Sequence, residues 1–156
     1  MKTKTHTVED IKKVILKLDK KYGNDFSCLP VRVNKRMTST IAYASIRVKS
    51  KNHKVIEIIP INFTFSYHFL NALLTKEQFE DIVIHEYLHL HTNKKYNDDC
   101  NHDYRYKAEC KRIGKEYLSK TTCDMEVTTA FVDAIERYRN NKIAENNNYE
   151  VIITNL

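Results

Sequence analysis

Residues 81 to 93 read DIVIHEYLHLHTN and set His85, Glu86 and His89 among Ile82, Val83, Ile84, Tyr87, Leu88 and Leu90. Two imidazoles flanking a carboxylate in the pattern H-E-x-x-H suit one kind of chemistry. On a helix, positions four apart lie one turn apart, with Cβ atoms about 5–6 Å from each other. Both rings can then reach one divalent cation, and the intervening Glu can act on a water that the cation activates. Zinc lowers the pKa of such a water to about 7. A glutamate can take its proton and deliver it to a leaving amine. The spacing therefore predicts zinc-dependent peptide-bond hydrolysis, with His85 and His89 as ligands and Glu86 as general base.

The helical direction of each residue sharpens this. At about 100° per residue, Phe79, Val83, Glu86 and Leu90 fall within roughly 60° of one another. Glu86 thus sits in the apolar stripe, with His85 and His89 on its flank. A buried carboxylate without a partner costs several kcal/mol or shifts its pKa, and a cation held by the two histidines would compensate it. A hydrolytic zinc site takes three protein ligands and keeps one open position. There are three candidates for the third. His91 points about 120° or more away from both other rings if the helix continues. Glu109 lies on the next predicted helix. His102 opens that helix after a short polar loop, from which it can swing back, and the reading favours His102.

These residues need elements to position them. Thr7 caps a predicted helix to about Tyr22, with Val8, Ile11, Val14, Ile15, Leu18 and Tyr22 on one stripe and Gly23 as its terminator. Three strands follow, at Pro30 to Asn34, Ser39 to Val48 and Lys54 to Asn62, with a polar hairpin from Val48 to His53 and Pro60 near a strand end. Thr75-Lys76-Glu77-Gln78 reads as a capping box that starts the motif helix, which ends near Thr92. A polar loop, Asn93 to Asn101, leads to a helix from about Asp103 to Ser119. A last helix runs from about Asp124 to Asn140, followed by a polar tract and a terminal strand.

The 156 residues suit one domain with a real core, and 42% hydrophobic with 29% charged residues excludes collagen-like and wholly disordered chains. The N-terminus MKTKTHTVED has no apolar region of a signal peptide, and no apolar run reaches membrane-spanning length. The expectation is a cytoplasmic protein without a membrane partner. Cys28, Cys100, Cys110 and Cys123 show no CxxC spacing and read as free thiols. The formal charge of +6 fits an acidic partner, nucleic acid included, or a lysine-rich surface. Lys107, Lys111 and Lys115 at i, i+4 spacing, with Lys94 and Lys95, are candidate basic patches.

HEYLH, a polar loop and then His102 in an H-x-x-x-aromatic pattern ending at Tyr106 resemble the SprT-like zinc metallopeptidases. VIEIIPIN and EQFEDIVIHE match the strand and lead-in of that family. The resemblance covers roughly residues 8 to 118. It implies His85, His89 and His102 as ligands of one catalytic Zn2+, Glu86 as catalytic base and Tyr106 packed beneath a ligand. It implies an α+β zincin-like fold: an N-terminal helix on a sheet of three to four strands, then an HExxH helix and a ligand-bearing helix. Residues 1–156 would form a single domain, with a core at about 8–119 and a helical extension at about 120–156. The substrate would be a protein or peptide, with DNA-associated proteins as candidates. Asp103 stands where many members have Gly, and no zinc ribbon is present. Two rival readings are a DNA-associated binding protein whose structural zinc is closed by Cys100 or His91, and a regulatory peptidase of the ImmA/IrrE group using Glu109. The basic helix around Glu109 argues against the second.

Overall fold

The computed structural model describes residues 2–120 and 124–154, and of 147–154 the backbone only. Cys123 lies outside the described residues. Helix α1 (Val8–Tyr22) opens as its sequence dictates. The Thr7 hydroxyl accepts the Asp10 N–H, and the Asp10 carboxylate accepts the Thr7 N–H. It ends where Gly23, at φ 72°, takes the left-handed conformation and donates its N–H to the Asp19 carbonyl. Ile11, Ile15 and Leu18 form its buried stripe.

Three strands form the sheet among the described residues: β1 (Val31–Asn34), β2 (Ala42–Lys51) and β3 (Lys54–Ser66), in the order β1-β3-β2. β3 runs parallel to β1 and antiparallel to β2, so β2 is an edge. The β2–β3 hairpin turns at Asn52 and His53, with φ of 53° and 64°. Two positive φ values suit the type I′ turn that matches strand twist. The third strand was expected to end at Asn62, just past Pro60, but it continues to Ser66. Pro60 is tolerated because β1 pairing begins only at Phe63 and the β2 register shifts between Ser45 and Ile46, where Pro60 pairs. Phe63 and Phe65, on this unanticipated part, are fully buried.

A short helix α2 (Tyr67–Leu70), not foreseen, follows directly. Helix α3 (Lys76–Tyr96) starts at the predicted Thr75 capping box and outruns the expected end at Thr92 by one turn. Asn97, left-handed at φ 50°, stops it and uses its side chain to accept the Ile58 N–H and donate to the Ile56 carbonyl. Helix α4 (Tyr104–Arg112) is shorter than predicted. Gly114 at φ 76° breaks it, and Glu116–Ser119 form a separate 3-10 turn. Lys115 therefore leaves the predicted Lys107–Lys111 row and pairs with Asp81 at 2.8 Å. Helix α5 runs from Met125 to Thr154, so the chain is helical where a terminal strand was expected up to Thr154. The main core joins α1, the inner sheet face, α2, α3 and α5 through Ile15, Phe65, Phe69, Phe79, Val83 and Phe131. No helix among the described residues is long and apolar enough to cross a membrane.

Candidate metal and catalytic site

α3 crosses the inner sheet face, and its lead-in residues Phe79 and Val83 anchor it in the core. That fixes the direction of each following side chain. Glu86, 8% exposed, faces β2, where the backbone N–H of Ala44 favours its ionised form. Its burial pushes the carboxyl up to about 8, and the Ala44 N–H works against that shift. His85 and His89 emerge one turn apart, as the wheel requires. α4 then returns beside α3, with His102 just before it. The Asp103 carboxylate accepts the N–H groups of Arg105 and Tyr106, so the departure from Gly at this position supplies the helix cap.

The Nε2 atoms of the three histidines converge. His89 Nε2 lies 3.2 Å from His85 Nε2, and His102 Nε2 lies 3.3 Å from it. All three residues offer a nitrogen within 4.8 Å of the others. Their outer nitrogens fix the tautomers. His85 Nδ1 donates to the Leu118 carbonyl at 2.8 Å, and His102 Nδ1 lies 3.0 Å from the Asn101 Oδ1 acceptor. The Asn101 main chain near His89 favours its charged form but does not offset its burial. An N–H spent outward at Nδ1 leaves the lone pair of Nε2 facing inward. Three inward lone pairs repel one another unless a cation lies among them. A tetrahedral zinc with Zn–N near 2.0–2.1 Å needs nitrogens about 3.3–3.4 Å apart, and the separations of 3.2 and 3.3 Å from His85 Nε2 match it, so these residues fit the ion in donor type and in those spacings. Burial pushes the His85 imidazole down to about 4. Burial, with the charges of His85 and His102, pushes His89 down to about 3. Both rings are neutral at pH 7, the state in which imidazole binds metal.

Tyr106 completes the inner layer. Fully buried, it stacks on His89 with centroids 4.3 Å apart and 15° between planes. Its hydroxyl donates to the His85 carbonyl at 3.0 Å. The other two third-ligand candidates lie elsewhere. His91 Nδ1 is 3.0 Å from Asn24, its Nε2 is 3.9 Å from Glu109, and its ring packs on Tyr22. Glu109, 1% exposed, accepts Lys95 at 2.6 Å and Arg112 at 2.5 Å. Cys100 is buried, its Sγ 3.9 Å from the Thr92 carbonyl and 3.7 Å from that of Asp98, and burial pushes its thiol up to about 11. The carbonyls of Leu118 and Asn101 and the Ala44 N–H escaped sequence reasoning, because main-chain groups carry no residue signature.

Compared with known proteins, residues 11–129 match the SprT-like family. No curated protein and no solved structure matches the chain. The match spans well over half of the sequence, and the chain belongs to the SprT-like family.

Proposed function

We propose that this SprT-like chain is a zinc-dependent endopeptidase with a zincin-like site, and that residues 1–156 act as one domain. The observation that carries the reading is the convergence of three inward Nε2 atoms beside a buried carboxylate. His85, His89 and His102 would hold the ion. Bound zinc supplies Lewis acidity, polarising the scissile carbonyl and easing the ionisation of water at neutral pH. Glu86 is the base. A dication beside it draws its raised pKa back toward the ionised form. It takes a proton from the attacking water as the C–O bond forms, then delivers that proton to the amide nitrogen as the C–N bond breaks. The Ala44 N–H beside it favours the ionised form of the carboxyl. β2, an edge strand among the described residues, borders the same cleft through Ala42, Tyr43 and Ala44. An extended peptide can add to that edge through main-chain hydrogen bonds, independent of its sequence. The charge of +6 favours encounter with acidic partners, and proteins bound to nucleic acid belong to the proposed substrates.

Cys100 and His91 lie apart from the three nitrogens, which speaks for an open fourth position rather than a closed structural site. The test is metal analysis of protein purified without chelators, beside Glu86→Gln. One zinc per chain in both, with hydrolysis of an unfolded protein reduced about 10²–10⁴-fold only in the variant, is the expected result. A wild type without zinc, or a variant that still cleaves at the wild-type rate, refutes the reading.

A further inference from the structure

The cleft that holds the three histidines has a volume of about 880 Å³, and its two ends differ in chemistry. β2 and α3 run along it in the same direction. At the C-terminal end of α3, Asn97 grips Ile56 and Ile58, and Ile58 pairs with Val48 of β2. At its N-terminal end, Phe79 stacks on Phe69 and Phe69 on Phe65, the β3 partner of Ala42. The first end is polar, lined by Asn93, Asp99 and Asn101. The second is lined by Ile41, Ile82, Val127, Thr128 and Phe131, with the polar Thr40, Gln78 and Asp124 beside them. Val127 and Phe131, 3% and 4% exposed, form a floor contributed by α5. Phe131 lies beyond residue 129, where the family match ends. Half-buried Ile41 and Ile82 make the walls, and Thr128 donates its hydroxyl to the Asp124 carbonyl at 3.0 Å. Asp81 also lines the cleft, but Lys115 and Tyr117 hold its two oxygens at 2.8 Å each.

Resting on the peptidase reading, we infer that this α5-floored pocket is the specificity subsite and takes a large aliphatic or aromatic side chain. A peptide pairing with β2 in the antiparallel sense, the more stable of the two, runs from the Ile46 end toward the Ile41 end. The pocket therefore receives the residue that follows the scissile bond. Discrimination of a large apolar side chain from a small one in such a pocket is about 10–200-fold.

Two measurements on the full chain test this. The first titrates ¹⁵N-labelled protein with N-acetyl amides of leucine, phenylalanine, glycine and aspartate. Leucine and phenylalanine amides shift the amide signals of Ile41, Ile82 and residues 127–131, and the other two do not. Thr128→Phe, which fills the pocket, removes the effect, and Thr128→Leu carries the same test with a smaller insertion. Equal shifts by the aspartate amide, or shifts confined to other regions, overturn the inference. The second maps cleavage of a degenerate peptide library. Large apolar residues follow the cleaved bond, and filling Thr128 moves the preference toward glycine or alanine by at least about tenfold. Cleavage with no preference there overturns the subsite and leaves the peptidase reading standing. A wild type that cleaves nothing, yet binds the leucine amide at the named residues, refutes the peptidase reading and leaves the apolar pocket standing.

Discussion

His102→Ala and Glu109→Gln separate metal binding from helix pairing, because His102, just before α4, faces His85 while Glu109, on α4, faces Lys95 and Arg112. His102 offers its Nε2 3.3 Å from that of His85, and its one other side-chain hydrogen bond is to neighbouring Asn101. Structural zinc sites with four ligands bind with about 10–16 kcal/mol, or roughly 2.5–4 kcal/mol per ligand. Losing one of three ligands should then weaken zinc binding about 10²–10³-fold while the melting point of the metal-free protein hardly moves. Glu109 behaves in the opposite way. Its carboxylate is 1% exposed between Lys95 and Arg112. Gln keeps its shape and removes the charge. Hydrogen bonds to charged groups contribute about 1.5–3 kcal/mol. Lys95 and Arg112 are 40% and 54% exposed, so solvent screening reduces this to about 1–2 kcal/mol. At this chain length that lowers the melting point by roughly 2–8 °C, with zinc content unchanged. The pH dependence has a definite sign. Burial alone would raise the Glu109 pKa, but the hydrogen bonds from Lys95 and Arg112 hold it below the ordinary 4.5. The contribution is therefore complete above pH 4.5 and is lost as pH falls through the lower folded value. Competition with a chromophoric chelator and thermal melts in EDTA measure both effects. Loss of zinc in Glu109→Gln, or full zinc affinity in His102→Ala, would refute the reasoning.

Two further outcomes are expected. Tyr106→Phe keeps the stack on His89 but removes the bond to the His85 carbonyl, costing about 0.5–1.5 kcal/mol in a urea titration and about tenfold in zinc affinity. Undiminished affinity would show that the hydroxyl does not orient the ligand helix. His6 stacks on Phe79 with centroids 4.1 Å apart and 3° between planes, and neither ring nitrogen has a hydrogen-bond partner. Burial lowers its pKa, with Asp10 and Glu80 opposing and Lys4 assisting. Its neutral form is the one the fold prefers, so stability is complete above 6.5 and is lost as pH falls through the lower folded value. His6→Phe should gain about 1 kcal/mol near pH 5 and less at pH 8, and a parallel pH profile would contradict that account.

Much of the site was legible because its signals are local. The capping boxes at Thr7 and Thr75, the left-handed Gly23 and the indoor position of Glu86 follow from helix periodicity and main-chain donors near each residue. The placement of His102 over α3, with Asp103 as the cap behind it, also follows from a short loop and a helix start. What escaped depends on partners distant in sequence. Pro60 ends a strand in isolation, but not where the parallel neighbour begins three residues later and the antiparallel neighbour shifts register. The Lys107–Lys115 row assumed one long helix, and Gly114 between them held the signal that should have stopped it. The polar loop read from Asn93 begins inside α3, because Asn93 is buried and its side chain accepts the Cys100 N–H at 2.8 Å.

His91 shows how the two sides of α3 depend on each other. The wheel excluded it from the metal, and the structure gives it a place in a network behind the helix. Tyr87, fully buried, donates its hydroxyl to Asp19 at 2.6 Å and accepts from Asn24 at 3.2 Å. Asn24 meets His91, and His91 approaches Glu109 of α4. Asp19 also accepts the N–H groups of Phe26 and Ser27, so the network is tied to the end of α1 and the loop after it. Polar bonds have direction, whereas apolar packing of an all-round greasy helix leaves its rotation weakly set. A rotation of α3 by one residue, about 100°, would bring His91's neighbours to the front and turn His85 away. The rear network penalises that rotation with buried unpaired groups. The same geometry that keeps His91 behind the helix thus keeps His85, Glu86 and His89 facing the cleft.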